Sequence, residues 1–193
     1  MMLKQLRKKL DLSWIKKNSI WDIVVYGSYA RGKIDAKDID VAIILEKKIS
    51  VNVKMELSQK LRRMFKDDGF VFDVKAVDLN DFLNAGFLGR ESIFAEGYSI
   101  LKQDYLAERF GFNALAIVEY RLKDLTLSEQ KMLYYALQGR KKGRGMLAKF
   151  GGRILSKGIL EVPTAHYEKL KSLIDSYGIN YKATPCLQYS ILH

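Results

Sequence analysis

A glycine–serine pair and two closely spaced aspartates constrain this chain more than any other feature. Gly27-Ser28 ends one apolar run, and nine residues later Asp38-Ile39-Asp40 opens another. The flanking runs, residues 21–26 and 39–45, are rich in β-branched and aromatic residues, which predicts two strands connected through a Gly-Ser turn. Because side chains alternate along a strand, the two carboxylates project from the same face.

Such a pair of carboxylates can hold divalent metal ions against the phosphates of a nucleotide. The Gly-Ser turn offers backbone N–H groups and a hydroxyl to the same phosphates. A third acid, Asp73, lies within residues 70–77, which read as another strand. A carboxylate inside an apolar strand is costly unless it is paired or binds a metal, so Asp73 is either a third metal ligand or the partner of a lysine.

These residues carry a resemblance. The run Gly27-Ser-Tyr-Ala-Arg-Gly32, followed by Asp38-Ile39-Asp40 and then Asp73, resembles the minimal nucleotidyltransferase branch of the DNA polymerase β superfamily. The resemblance covers about residues 20–104 and includes residues 93–97, a stretch typical of the last helix of that domain. It implies a small mixed sheet with helices on one side, a nucleoside triphosphate substrate and two Mg²⁺ ions, with Mn²⁺ as the alternative.

The resemblance also implies roles for the three acids. Asp38 and Asp40 would bind the metal ions, and Asp73 would complete the catalytic metal site and help to activate an attacking hydroxyl. That hydroxyl would attack the α-phosphate and release pyrophosphate. Several carboxylates are needed because two ions in such sites lie roughly 3.5–4 Å apart.

The nucleotide's outer phosphates would bind at the turn. By the resemblance, Gly27 and Ser28 contact them, and Arg31 is a weaker candidate for the same charge. The chain departs from the family pattern in two ways, because the Gly-Ser to Asp-x-Asp spacing is one residue shorter than is commonest and Lys37 replaces the usual serine. A cation at Lys37 can also contact phosphate, whereas Asp35 is interpreted as a turn residue.

The C-terminal part is strongly basic. Between residues 121 and 160 ten Lys and Arg residues face two Asp and Glu. A capping box at residues 126–129, a glycine-spaced basic loop, a helix over residues 146–155 and a following strand resemble a winged helix-turn-helix module. The expected nucleic-acid-binding residues are Arg140, Lys141, Lys142, Arg144, Lys149 and Arg153. The alternative is a solvated basic face.

Composition bounds the remaining choices. The 193 residues carry a net charge of +11, which suits a polyanionic partner such as nucleic acid or nucleoside triphosphates. Cys186 is the only cysteine, so no internal disulfide and no cysteine-built zinc site can form in one chain, and a cytoplasmic location is expected. No apolar run is long enough to span a membrane.

The sequence therefore predicts an α/β (α+β) chain with two domains. Residues 1–104 form a polymerase β-like nucleotidyltransferase domain, and residues 105–193 form a basic, winged-helix-like α+β domain. The predicted activity is metal-dependent transfer of a nucleoside monophosphate from a nucleoside triphosphate to a hydroxyl acceptor, with nucleic acid favoured as acceptor. The alternatives are an antitoxin of the nucleotidyltransferase type, which modifies or binds a partner protein, and a non-catalytic nucleic-acid-binding protein.

Overall fold

The computed structural model describes residues 2–33, 35–66, 69–123, 125–140 and 145–189. The chain divides into two compact units, Met1–Phe110 and Gly111–His193. Residues 105–110, which the sequence analysis assigned to the second domain, belong to the first unit.

The first unit alternates helices and strands. In chain order its elements are α1 (Met2–Lys9), α2 (Leu12–Lys17), β1 (Ile20–Tyr26), α3 (Gly27–Ala30), β2 (Asp38–Leu45), α4 (Val51–Met64), β3 (Val71–Asp78), α5 (Leu79–Leu83), α6 (Arg90–Glu96), β4 (Tyr98–Ser99) and α7 (Leu106–Arg109). The strands predicted around the Gly-Ser and Asp-x-Asp motifs are confirmed as β1 and β2.

The N-terminal helix differs from the sequence expectation. The spacing of leucines predicts one helix over residues 3–17, but the structure has two helices, α1 and α2. Asp11 separates them because its extended backbone caps α2, and its carboxylate accepts hydrogen bonds from the backbone N–H groups of Ser13 and Trp14.

The sheet of the first unit has the order β3-β2-β1-β4. Strands β2 and β3 are parallel, and β1 is antiparallel to both β2 and β4. The small mixed sheet is therefore confirmed. Parallel pairing of β2 with β3 requires a crossover connection, and α4 supplies it.

Helices cover both faces of this sheet, whereas the family resemblance implies helices on one face only. Ile39, Val41 and Ile43 of β2 pack in a core cluster with residues of α1, α2 and α4. The alternate residues Ala42 and Ile44 pack in a second cluster with residues of α6 and α7. By the same alternation, Asp38 and Asp40 project from the second face.

The second unit is built on an antiparallel sheet. Its elements are β5 (Phe112–Tyr120), α8 (Leu127–Gln138), α9 (Met146–Lys149), β6 (Arg153–Ser156), β7 (Ile159–Pro163), a 3₁₀ turn (Thr164–His166), α10 (Tyr167–Ser176) and β8 (Tyr181–Tyr189). The sheet order is β6-β7-β5-β8. Leucines of α8, α9 and α10 pack with β5 and β7 in a separate core cluster.

The helix expected over residues 146–155 is wrong. Helix α9 ends at Lys149, and Arg153 begins strand β6. Gly151 has a φ of +70°, and a side chain on Gly152 would collide with the Glu161 carbonyl oxygen, so the glycine pair forms a turn. The recognition helix of a winged-helix module is thus reduced to one turn, and the winged-helix interpretation stays a prediction.

Across the described ranges, no helix combines the length and apolar character that a membrane crossing requires.

Candidate active site

Strand register brings two of the three predicted acids side by side. Asp40 of β2 pairs with Asp73 of parallel β3, and on its other side it pairs with Tyr26 of antiparallel β1. The three side chains therefore form one row across three strands, because residues paired across a sheet share a face. Asp38 lies on the same face of β2, opposite Val71.

Gly27 closes one side of this row. Its φ of +73° is a left-handed conformation that favours glycine. A Cβ atom at this position would collide with the Asp40 carboxylate. The chain must therefore have glycine here for two independent reasons, and the backbone of the Gly-Ser turn lies directly against the central acid.

Electrostatics at Asp40 reflect this crowding. Burial raises the pKa of Asp40, and the Asp73 and Asp38 carboxylates raise it further, while Lys75 and Arg31 oppose them. Burial, with Asp40 and Asp73 adding to it, raises the pKa of Tyr26 to about 12. The three acids repel one another where they are partly buried, and a bound divalent cation would reduce that repulsion.

Asp73 also has cationic neighbours. Its carboxylate lies 3.6 Å from Arg62 Nη2 and 3.4 Å from Lys75 Nζ. The side chains involved are roughly half exposed, so each contact contributes little to stability. The lysine contact that the sequence analysis kept as the alternative for Asp73 is thus present, together with the proximity to Asp40.

Arg31 lies beside the row but is engaged elsewhere. Arg31 Nη1 donates a hydrogen bond of 2.8 Å to Oε2 of Glu96, which is almost fully buried at the end of α6. Ile93 on the same helix is fully buried. The stretch of residues 93–97 noted in the sequence thus anchors a cation near Asp40.

The remaining predicted nucleotide-binding residues lie around the same strand ends. Ser28 is inside the first turn of α3, because that helix begins at Gly27. Lys37 is exposed just before β2, and its carbonyl oxygen accepts a hydrogen bond from Val71 N. Whether these groups contact a nucleotide stays a prediction.

The three acids provide the type of ligand atom that a hard divalent cation prefers. Asp38, Asp40 and Asp73 provide carboxylate oxygens alone, which Mg²⁺ and Mn²⁺ prefer. Outside the undescribed positions, no group of three or more His, Cys, Asp or Glu side chains is close enough to bind a metal ion as the side chains stand. The acids are neighbours in register, and their side chains would have to converge on the ion.

Three of the six predicted basic residues of the C-terminal part are described, and their binding to nucleic acid stays a prediction. Lys141, Lys142 and Arg144 lie outside the described residues. Arg153 donates to Glu161 at 2.8 Å, and the Arg140 guanidinium lies 5.0 Å from the Tyr135 ring centroid. Lys149 is exposed at the end of α9.

Sequence reasoning missed three residues of the site. Tyr26, Lys75 and Glu96 all influence the acids or Arg31, and none was singled out. Lys75 follows Asp73 by two positions, so strand alternation could have placed it on the face of the acids. Tyr26 has no such signal, because its place beside Asp40 depends on the register between β1 and β2. Glu96 has no comparable signal, because its partner is 65 positions away in the chain.

The profile of the family "Polymerase beta, Nucleotidyltransferase" matches residues 8–106. No curated protein matches the chain significantly.

Solved structures that resemble the chain cover about half of it. One is a toxin–antitoxin with AMP-PNP, at 23% identity over 49% of this chain and 71% of that one, with a TM-score of 0.36. Another is a tri-AMPylated Shewanella oneidensis HEPN toxin in complex with MNT antitoxin, at 23% identity over 51% and 71%, with a TM-score of 0.35. A third is a MntA-HpeT toxin–antitoxin mutant, at 20% identity over 46% and 67%, with a TM-score of 0.34.

Proposed function

The chain belongs to the polymerase beta nucleotidyltransferase family, and from that premise we propose that it transfers a nucleoside monophosphate from a nucleoside triphosphate to a hydroxyl acceptor. ATP is the first candidate donor. The observation that supports this most directly is the row in which Asp40 lies beside Asp73, with Asp38 on the same face and the Gly27 backbone against the Asp40 carboxylate.

In the proposed reaction the chain's own groups have separate roles. Asp38, Asp40 and Asp73 would hold two Mg²⁺ ions, or Mn²⁺ in their place. When bound, these ions supply positive charge to the reacting phosphate and lower the pKa of the acceptor hydroxyl. Asp73, on the strand beside Asp40, would orient that hydroxyl.

The turn residues would hold the triphosphate. Gly27 and Ser28 would contribute backbone N–H groups and a hydroxyl, since glycine allows the phosphates to approach the backbone closely. Lys37 and Arg31 would add positive charge. The Arg31–Glu96 hydrogen bond would keep that guanidinium oriented near Asp40.

We favour nucleic acid as the acceptor, because the net charge of +11 attracts a polyanion. We also propose a cytoplasmic location. A chain whose single cysteine, Cys186, is exposed and unpaired suits a reducing compartment.

The test is Mg²⁺-dependent transfer of α-labelled nucleotides, ATP first, into a mixed pool of RNA, DNA and protein. The double variant Asp38→Ala/Asp40→Ala should lose transfer. Asp35→Ala is the matched control, because it removes an exposed acid from the preceding turn and should retain activity.

The label also identifies the acceptor class. Label in protein alone would redirect the proposal to a partner-modifying antitoxin. No transfer with any nucleotide, from protein shown to be folded, would overturn the enzymatic proposal and favour a non-catalytic binding protein.

A further inference from the structure

A cleft in the second unit lies where three strands meet at one end of the sheet. Its volume is about 750 Å³, and its lining comes from the end of β5, the β6–β7 turn and the start of β8. The Tyr120 N–H donates to the Gly158 carbonyl oxygen at 2.8 Å, and the Arg121 N–H donates to the Asn180 carbonyl oxygen at 3.3 Å. These backbone hydrogen bonds fix the three segments relative to one another.

The turn that forms one wall depends on Gly158. Its φ is +83°, and a Cβ atom here would lie 2.8 Å from the Tyr120 carbonyl oxygen. A side chain would therefore be strained and would also press on the strand that it faces. The adjacent Lys157 is thus held at the mouth of the cleft by a turn with a specific backbone geometry.

The lining is strongly cationic. Glu119 is the acid among the described lining residues, and it lies opposite Lys182 in the β5–β8 register. Within the described residues, none of the lining cations forms an ion pair with a carboxylate. The lining cations are Arg121, Lys123, Lys157 and Lys182.

Two tyrosines line the cleft together with these cations, and strand alternation directs their rings to the sheet face opposite to Lys182. Tyr120 and Tyr181 are directly paired across β5 and β8, so their rings lie on the same face of the sheet. Both are partly buried against the core of this unit. The rings are therefore held in place, as a stacking surface requires.

The cleft continues into a second, more apolar one. This neighbouring cleft of about 490 Å³ shares Tyr120, Lys157 and Gly158 with the first, and Tyr134 and Tyr135 of α8 also line it. The two clefts form a groove in which a cationic part is followed by an aromatic part. A ligand that fits both parts has phosphate charge and planar rings in succession.

We propose that this groove binds single-stranded nucleic acid. The four cations contact backbone phosphates, and the tyrosine rings stack on bases, which is the combination used by proteins that bind single strands without sequence preference. The inference deepens the proposed function, because it names the place where a nucleic-acid acceptor is held. It concerns binding alone and does not depend on transfer.

The experiment measures fluorescence anisotropy of a short labelled oligouridylate with the full chain, without Mg²⁺ or nucleotide. Omitting both separates this inference from the proposed function, because neither is required for binding. The variant Lys157→Ala/Lys182→Ala should lose affinity about tenfold or more. The slope of log K against log salt should fall in magnitude by about 1.4, since each lost phosphate contact to a single strand accounts for about 0.7.

The matched control is Lys169→Ala/Lys171→Ala, which removes the same charge from α10 of the same unit, outside the groove. It should leave the affinity and the salt slope close to wild type. Equal losses in the two variants would show that net charge, and not the groove, attracts the oligonucleotide, and would overturn the proposal. Competition by polyglutamate as effective as that by unlabelled oligonucleotide would do the same.

A second variant tests the aromatic part. Tyr181→Leu keeps apolar volume and removes the ring, so affinity should fall about fivefold or more while the salt slope stays unchanged. Thermal unfolding of each variant confirms that the unit remains folded. Unaltered affinity in folded Tyr181→Leu would remove the stacking role and contradict the proposal.

Discussion

The two units carry opposite charges at their candidate sites. In the unit of residues 1–110, carboxylates crowd together on the same face of a mixed sheet, partly buried and pressed against the backbone of Gly27. In the unit of residues 111–193, cations surround an open cleft and extend from the ends of strands. A crowded site depends on the position of each atom, whereas a cationic groove depends mainly on the sum of its charges. Single substitutions should therefore abolish the function of the first and only weaken that of the second.

The largest expected effect comes from a substitution that should inactivate the acidic site and leave the cationic groove intact. Asp40→Asn removes one charge from the centre of the acidic row and should reduce nucleotide transfer by at least about a hundredfold, because bound metal ions supply several kcal/mol of transition-state stabilisation. Oligonucleotide binding should be unchanged, since the groove lies entirely in the other unit. Transfer assays and anisotropy on the same preparation measure both.

The Lys157→Ala/Lys182→Ala variant should show the reverse pattern, with oligonucleotide binding weakened and nucleotide transfer retained. It should bind the oligonucleotide weakly and still transfer a nucleotide to an acceptor supplied at saturating concentration. If Asp40→Asn also lost oligonucleotide binding while remaining folded, the assignment of two separate sites would be wrong.

Core substitutions test whether the units also differ in stability. Leu61 and Leu160 are both fully buried, one in the cluster of the first unit and one in that of the second. Replacing either by Ala should cost about 2–5 kcal/mol, because a cavity adds to the lost burial. Each cluster draws its described members from one unit, so hydrogen exchange should accelerate mainly in the unit that carries the change. Uniform acceleration along the chain would contradict this.

Two glycines with the same backbone conformation allow the contact between the Gly27 backbone and the Asp40 carboxylate to be tested separately from backbone strain. Gly27 and Gly69 have φ values of +73° and +74°, but a Cβ atom would meet nothing within 4 Å at Gly69. Gly69→Ala should therefore cost about 1–2 kcal/mol from backbone strain alone. Gly27→Ala should cost roughly 1–3 kcal/mol more, from overlap with the carboxylate.

Denaturant unfolding of the two glycine variants gives the difference directly. Transfer activity should fall in Gly27→Ala and persist in Gly69→Ala. Equal stability losses would mean that the Asp40 carboxylate can move away from an added methyl group at little cost. The acidic site would then not depend on the exact position of each atom.

The smallest effects compare a buried ion pair with an exposed one. Lys54 donates to Asp78, which is 1% exposed, at 2.8 Å. Lys171 donates to Asp175 at 2.9 Å on the exposed side of α10. Lys54→Met should cost about 2 kcal/mol, because a hydrogen bond to a charged buried group is lost. Lys171→Met should cost about 0.5 kcal/mol or less.

The pH dependence of the Lys54→Met effect has a definite sign. The hydrogen bond from Lys54 holds the pKa of Asp78 below its ordinary value of 3.8. The stability that this pair contributes is therefore complete above that value and is lost as the pH falls through the folded-state pKa. Urea unfolding of wild type and Lys54→Met should differ at neutral pH and converge in strong acid. A constant difference would show that Lys54 acts through packing of its aliphatic stem.

Much of the first unit could be predicted because its signals are local. The Gly-Ser turn and the alternation in residues 39–45 each arise between residues close in the chain. The same holds for the helical spacing of apolar residues over 51–65, which predicts α4, and the corresponding elements are present. The break at Asp11 was missed, although its capping bonds to Ser13 and Trp14 are equally local.

The second unit was harder to predict because its central element lacks a local signature. Strand β5, over residues 112–120, was not predicted, yet it pairs with both β7 and β8. Its paired residues lie 40 to 77 positions further along the chain, and no local pattern encodes that pairing. The cationic groove exists only because this strand brings Tyr120 beside Gly158 and Tyr181.

The acids, the glycine between strand and helix, and the family to which they belong can all be identified from the order of residues in the chain. Strand periodicity places Asp38 and Asp40 on one face whatever the rest of the chain does. Two further features, the position of Asp40 between Tyr26 and Asp73 and the contact of Arg31 with Glu96, arise only when the whole unit folds. Register between strands and contacts between distant helices depend on how whole elements pack, and that information is distributed over the entire core.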